Sequence, residues 1–280
     1  MRFPRKTITR PARLEGVGLF SSTPVRLTFC PDAAGAGVRF VRVDASQTLI
    51  PARVEYAIDQ PRRTALAVDG VAVETVEHVL SAVVGLGITD LRIEMDAAEV
   101  PALDGSAAGF VEALVQAGVT GLEGEAEPLV IRERVRLEGE GGEVVCEPED
   151  QAGAVFSYEL DYRPHPFLGR SVASYRVGAV DYATEVAPAR TFVLEEEVKV
   201  LRDQGLGKHL TPESLLVIGD SGPLEPNWLR FEDEPARHKL LDLMGDLALV
   251  GRPLVGRVTA RKSGHALNRA MAVKLLEIYG

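Results

Sequence analysis

Ala236-Arg237-His238-Lys239-Leu240-Leu241-Asp242-Leu243-Met244-Gly245-Asp246-Leu247 is the stretch on which the reading of the fold turns. Wound as a helix, it sets His238, Asp242 and Asp246 one turn apart on a single face. An earlier stretch echoes it: Thr75-Val76-Glu77-His78-Val79-Leu80-Ser81-Ala82-Val83-Val84-Gly85. In both, a histidine early in an apolar helix is followed by leucine at the second position beyond (Leu80, Leu240) and glycine at the seventh (Gly85, Gly245). The echo points to an internal duplication. Two related α+β domains would bring the equivalent helices face to face, with both histidines near the interface.

Outward from these helices the patterns alternate between the two periods. Val25–Phe29 and Gly37–Val41 read as strands with Pro31–Gly37 as the turn between them, and Leu91–Met95 reads as another strand. The first helix spans about Val76–Val84 with Thr75 as its N-cap. Asp104-Gly105-Ser106 is a turn opening a helix over Ala107–Ala117, with Phe110, Val111 and Leu114 on one face. Gly118–Pro128, with three glycines, three glutamates and a proline, reads as the linker. It divides the chain into an N-terminal domain, 1–122, and a C-terminal domain, 127–280. Beyond it, strands are expected at Leu129–Leu137, Glu143–Cys146, Ala154–Leu160, Ser171–Val177 and Leu254–Thr259. Helices are expected at Glu195–Gln204, Ala236–Val250 and Ala266–Ile278.

The 280 residues are 46% apolar and 26% charged, the balance of a folded globular chain with a substantial core. A net charge of −10 argues against a general nucleic-acid binder. An anionic small substrate would need a local basic patch working against that field. The longest run without Asp, Glu, Lys or Arg, His78–Thr89, is too short for a transmembrane segment. The N-terminus carries no apolar signal core. Cys30 and Cys146 form no CxxC pair, so a reduced, cytoplasmic protein is expected.

The histidines and carboxylates carry the chemistry. Asp242 and Asp246, one turn apart, repel by roughly 0.2–0.5 kcal/mol, and desolvation among leucines adds to that. Either the stripe faces solvent on an amphipathic helix, or something positive compensates it, such as a metal on His238 and Asp242. His78 would complete a two-histidine, one-aspartate site with a fourth position open to water, the arrangement of a catalytic zinc. Glu77 is then placed as a general base, or else is a solvent-facing residue favoured by the helix dipole. His265 is either a surface loop histidine or, if it meets Asp246, an imidazolium able to stabilise an oxyanion or protonate a leaving amine. His165, between Pro164 and Pro166, reads as loop. Gly16-Val17-Gly18 and Gly205-Leu206-Gly207-Lys208 complete neither nucleotide fingerprint.

Taken together, six stretches resemble the zinc-dependent UDP-3-O-acyl-N-acetylglucosamine deacetylases of lipid A biosynthesis. They are GVGL (16–19), TVEHVLSAVVGLGI (75–88), EVPALDGSA (99–107), ARTF (189–192), LRFEDEPARHKLLDLMGDLALVGRPL (229–254) and KSGHALN (262–268). They follow the family's order over nearly the whole chain. The resemblance implies a cytoplasmic, monomeric enzyme that hydrolyses the 2-acetamido group of a UDP-linked acylated amino sugar. It also implies two α+β domains, each a sheet layer with helices, the helices sandwiched between the sheets. Carried over by position, His78, His238 and Asp242 are the zinc ligands, and Fe2+ suits the same donors. Glu77 is the general base, and His265, oriented by Asp246, is the charged partner of the oxyanion and the departing amine. Thr191 donates to the oxyanion, Phe192 and Lys239 contact the sugar-nucleotide, and the helix at 195–204 helps wall a passage for the acyl chain. The chain departs from the family at Phe20, at His209-Leu210 and at Trp228. The last two departures raise the alternative of a paralogous amidase with a different acylated amino sugar. A catalytically silent sugar-nucleotide-binding protein is the third reading, which the intact set of base and acid residues argues against.

Overall fold

Two sheets repeat one five-strand path, and the second carries Leu129–Val130 as a sixth strand beside Leu254–Arg261. In the first, the strands run in the order Ala12–Val17, Pro24–Pro31, Leu91–Met95, Val38–Arg42, Thr48–Pro51. Successive pairs are antiparallel, antiparallel, parallel and antiparallel. In the second, the order is Val135–Gly139, Gly142–Glu147, Leu254–Arg261, Ala154–Asp161, Arg170–Arg176, with the same succession of senses. In each half the third position is filled by the strand that comes last along the chain, delivered there by a helix. The echoed sequence helices, Glu77–Gly85 and Glu234–Leu247, are the ones that precede those strands. The computed structural model describes residues 2–139, 141–151, 153–178, 181–203 and 215–280. Gln204, the 205–208 glycine stretch, His209 and Leu210 lie outside them.

The described helices are α1 (Glu77–Gly85), α2 (Ala108–Ala117), α3 (Tyr182–Glu185), α4 (Glu195–Asp203), α5 (Glu234–Leu247) and α6 (His265–Tyr279). Helix α1 packs on α5, α2 on the first sheet, and α5 and α6 on the second, which puts the helices between the sheets. Helix α1 is apolar almost all round and buries every residue from Glu77 to Val83, as a helix with neighbours on all sides must. The echoed glycines serve these contacts. A Cβ on Gly85 would strike the Tyr182 ring, and one on Gly245 would strike the backbone of Glu77. Side chains at these two positions would hold the central elements apart.

Several expectations need correction. Thr75 does not cap α1: its backbone sits at φ 58° and its hydroxyl donates to Glu99 Oε1 at 3.0 Å, leaving Val76 as the N-cap. The segment read as a linker is largely a strand, Val119–Glu125, paired antiparallel with Pro4–Ile8. Its glycines and glutamates reported exposure correctly, but the pairing partner lies more than a hundred residues away. The strand expected at 129–137 is two pieces: Leu129–Val130 pairs parallel with Leu254–Val255, and Val135–Gly139 joins the second sheet. The Asp104-Gly105-Ser106 turn does open α2, with Ser106 Oγ accepting from the Ala108 N–H at 3.1 Å.

Candidate metal centre and active site

Facing helices bring the polar groups together. His78, one residue into α1, and His238 with Asp242 on α5 place one donor atom each within 4.8 Å of one another, all three residues buried. His78 Nε2 lies 3.6 Å and His238 Nε2 3.4 Å from the same oxygen, Asp242 Oδ1. The two imidazoles meet edge to face, their centroids 5.0 Å apart. His238 Nδ1 is 3.1 Å from the Ala189 carbonyl, to which it donates as Nδ1–H, so the Nε2 lone pair points into the cluster.

Burial disfavours the charged form of His238 and brings its pKa down to about 3, so it is neutral, as a ligand must be. Burial alone would raise the Asp242 carboxyl. The Lys239 ammonium, donating to Oδ2 at 2.8 Å, holds it well below the usual carboxylate range instead. Asp242 Oδ1 itself is buried and has no hydrogen-bond partner. An ionised oxygen left unsatisfied in a buried pocket is costly. Two imidazole nitrogens aimed at it complete a mixed nitrogen and oxygen donor set that fits a divalent metal.

Beside this cluster sits a second one. Glu77, the first residue of α1, turns inward: Oε2 accepts from the Thr64 N–H at 3.0 Å, and Oε1 stands 4.0 Å from His265 Nε2. Burial raises the Glu77 carboxyl above its ordinary value. His265 opens α6, and its Nδ1 donates to Asp246 Oδ2 at 3.0 Å. Burial opposes the imidazolium, but Asp246 and Glu77 outweigh it and lift His265 to about 9. Asp246 is fully buried and also accepts from Thr64 Oγ1 at 2.5 Å and from Asn268 Nδ2 at 2.8 Å.

The open alternatives are therefore resolved. The His238, Asp242, Asp246 stripe is buried, not exposed, and Glu77 faces the protein interior. His265 is no surface loop residue: its side chain is 12% exposed. The two carboxylates on α5 have separate positive partners, Lys239 for Asp242 and His265 for Asp246. His165 stays in its loop, its Nδ1 accepting from the Phe167 and Leu168 N–H groups.

The remaining motif residues are tied into the same frame. Thr191 N–H donates to Gly105 O at 2.7 Å, joining the 189–192 segment to the 104–106 turn. Arg190 between them forms a buried ion pair with Glu234 at 2.8 Å, which sets the Ala189 carbonyl against His238. Phe192 meets the Tyr162 ring edge-on at 5.7 Å. Glu99 accepts from the Phe20 and Ser21 N–H groups and the Thr75 hydroxyl, linking the 16–19, 75–88 and 99–107 stretches. Trp228 is 68% exposed, while its carbonyl accepts from Arg190. Thr64 and Asn268 escaped the sequence reading. Asn268 lies inside a quoted stretch, one turn beyond Gly264, whereas Thr64 in Arg62-Arg63-Thr64 carries no spacing signal at all.

Comparison with known proteins identifies relatives over nearly the whole chain. A family model described as UDP-3-O-acyl N-acetylglycosamine deacetylase matches residues 5–277. A protein of Myxococcus xanthus (strain DK1622) named UDP-3-O-acyl-N-acetylglucosamine deacetylase is 39% identical over 275 residues, 98% of this chain and 87% of that protein. One of the same name from Anaeromyxobacter dehalogenans (strain 2CP-C) is 40% identical over 272 residues, 97% of this chain and 87% of its own length. Another, from Synechocystis sp. (strain ATCC 27184 / PCC 6803 / Kazusa), is 38% identical over 276 residues, covering 98% and 99%.

Proposed function

The chain belongs to the UDP-3-O-acyl N-acetylglycosamine deacetylase family, and from that membership we propose that it hydrolyses the 2-acetamido group of UDP-3-O-acyl-N-acetylglucosamine to acetate and the free amine, a step of lipid A biosynthesis. The observation that carries the proposal is the pairing of two clusters on facing helices. Three buried donors converge on the orphaned Asp242 oxygen, and beside them a carboxylate stands 4.0 Å from a histidine favoured as its cation.

His78, His238 and Asp242 would hold the metal, zinc or, with the same donors, Fe2+. When bound, the metal supplies a Lewis acid and lowers the pKa of water. Glu77, its carboxyl raised by burial, accepts the proton of the attacking water. Thr191 donates to the carbonyl oxygen as negative charge develops there. His265 balances that charge with its imidazolium and then gives its proton to the departing nitrogen as the C–N bond breaks. Asp246, held by three donors, keeps His265 oriented and charged. Phe192 and Lys239 contact the sugar-nucleotide, and α4 helps wall the acyl passage.

The same reading takes 1–122 and 127–280 as two related domains, which the matching strand order supports. It also takes the protein as a cytoplasmic monomer. Both cysteines are free and buried, in keeping with a reducing compartment. Among the described residues no helix is long and apolar enough to cross a membrane. A substrate panel tests the proposal: acetate release should be at least tenfold faster from the 3-O-acylated UDP-sugar than from UDP-N-acetylglucosamine. Equal rates on both would refute the acyl requirement, and turnover confined to another acylated amino sugar would favour the paralogous amidase.

A further inference from the structure

One buried residue touches both the proposed base and the carboxylate that orients the proposed acid. Thr64 is fully buried and lies on neither site helix. Its N–H donates to Glu77 Oε2 at 3.0 Å, and its hydroxyl donates to Asp246 Oδ1 at 2.5 Å. Its carbonyl accepts from the Val76 N–H at 3.2 Å, at the start of α1. The direction of the hydroxyl bond is set from behind. Arg269 Nη1, on α6, points at Thr64 Oγ1 from 3.5 Å, so the hydroxyl accepts there and gives its single proton to Asp246.

A β-branched side chain has few χ1 choices, so the N–H and Oγ1 of one threonine keep a nearly constant separation. Glu77 comes from the first half and Asp246 from the second, and Thr64, on neither of their helices, bonds to both. We propose that Thr64 is the positioning residue of the acid–base pair: its backbone holds Glu77, and its hydroxyl fixes Asp246 and through it His265. The proposal rests on the functional reading above. It adds that the placement of base and acid is set by a residue outside both metal-bearing helices.

Thr64→Val keeps the shape, the branching and the N–H while removing only the hydroxyl. Losing one bond to a buried carboxylate should lower kcat about 10- to 100-fold, with KM changed less than about twofold, because the substrate is not touched. Thr64→Ser restores the hydroxyl and should recover most of that loss. A valine variant within twofold of wild-type kcat, or a serine variant as defective as the valine one, would overturn the proposal. Metal content and thermal unfolding serve as folding controls. If the valine variant does not fold, Thr64→Cys, a weak donor of similar size, takes its place under the same criteria. A substrate-free measurement separates failure here from failure of the functional reading. The downfield imidazole N–H proton of His265, assigned by its absence in His265→Gln, should shift in Thr64→Val and return towards its wild-type position in Thr64→Ser. An unmoved signal in the valine variant refutes the proposal even if the natural substrate proves to be another sugar.

Discussion

Gly245→Ala tests whether the close crossing of α1 and α5 builds the site. A Cβ at Gly245 would lie 2.7 Å from the carbonyl carbon of Glu77 and 2.8 Å from its Cα. Carbon atoms in ordinary contact sit about 3.5 Å apart, so the two backbones must separate by at least about 0.8 Å. The obstacle is helix backbone on both sides, with no side chain free to swing away. Alanine in a helix gains about 1 kcal/mol over glycine in intrinsic propensity, while overpacking a rigid core costs about 1–3 kcal/mol. With backbone on both sides the cost falls toward the upper end of that range, so the net loss reaches about 2 kcal/mol, a fall of several degrees in Tm. The effect on activity should be larger in proportion. Glu77 and His78 ride on one backbone, Asp242 and Asp246 on the other, and a shift near 1 Å in reacting groups costs on the order of 100-fold in rate. The assay pairs thermal unfolding with kcat for acetate release at saturating metal. Gly109→Ala is the control: it is also within a helix, but its Cβ would meet only the end of the Leu103 side chain, at 2.7 Å. Wild-type Tm and kcat in Gly245→Ala, or equal damage from Gly109→Ala, would refute the reasoning.

Two further outcomes are expected. In metal-free protein, lifting His265 from its ordinary 6.5 to about 9 contributes stability of about 3 kcal/mol. Because the folded state holds this proton more tightly, the contribution is complete below pH 6.5 and is lost as pH rises through about 9. Urea unfolding in a chelator across that range should show the decline in wild type and little of it in His265→Gln, and parallel curves would contradict the assignment. Asp242→Asn removes the charge from the oxygen on which both histidines converge, and metal affinity measured against a competing chelator should fall at least about 100-fold. Undiminished affinity would place the metal elsewhere.

The architecture was legible where side-chain periodicity reports burial directly. Leu91–Met95 alternates and is a strand over those same residues, and the glycine echo marks two real close approaches, at Tyr182 and at Glu77. Pairings set by distant partners were not legible. Nothing in the glutamates and glycines of 119–125 announces a strand bonded to residues 4–8, and nothing in the loop before Ala65 announces that Thr64 will bind two carboxylates. Thr75 misled because a threonine ahead of an apolar helix is a sound capping signal, here overridden by the buried Glu99 that needed its hydroxyl. In the site, the charge conflict between Asp242 and Asp246 was visible as one turn of helix. Of its resolution, the His265 partner of Asp246 was anticipated, whereas the Lys239 ion pair with Asp242 was not, because Lys239 was expected at the sugar-nucleotide.

The central claim is that Glu77 activates water beside a metal held by His78, His238 and Asp242. Its most direct test is acetate release from UDP-3-O-acyl-N-acetylglucosamine by wild type and Glu77→Ala at equal, verified metal content. The expected result is turnover by wild type and a loss of about 10²- to 10⁴-fold in the variant, the usual contribution of a general base. Comparable turnover by the two proteins would contradict the account.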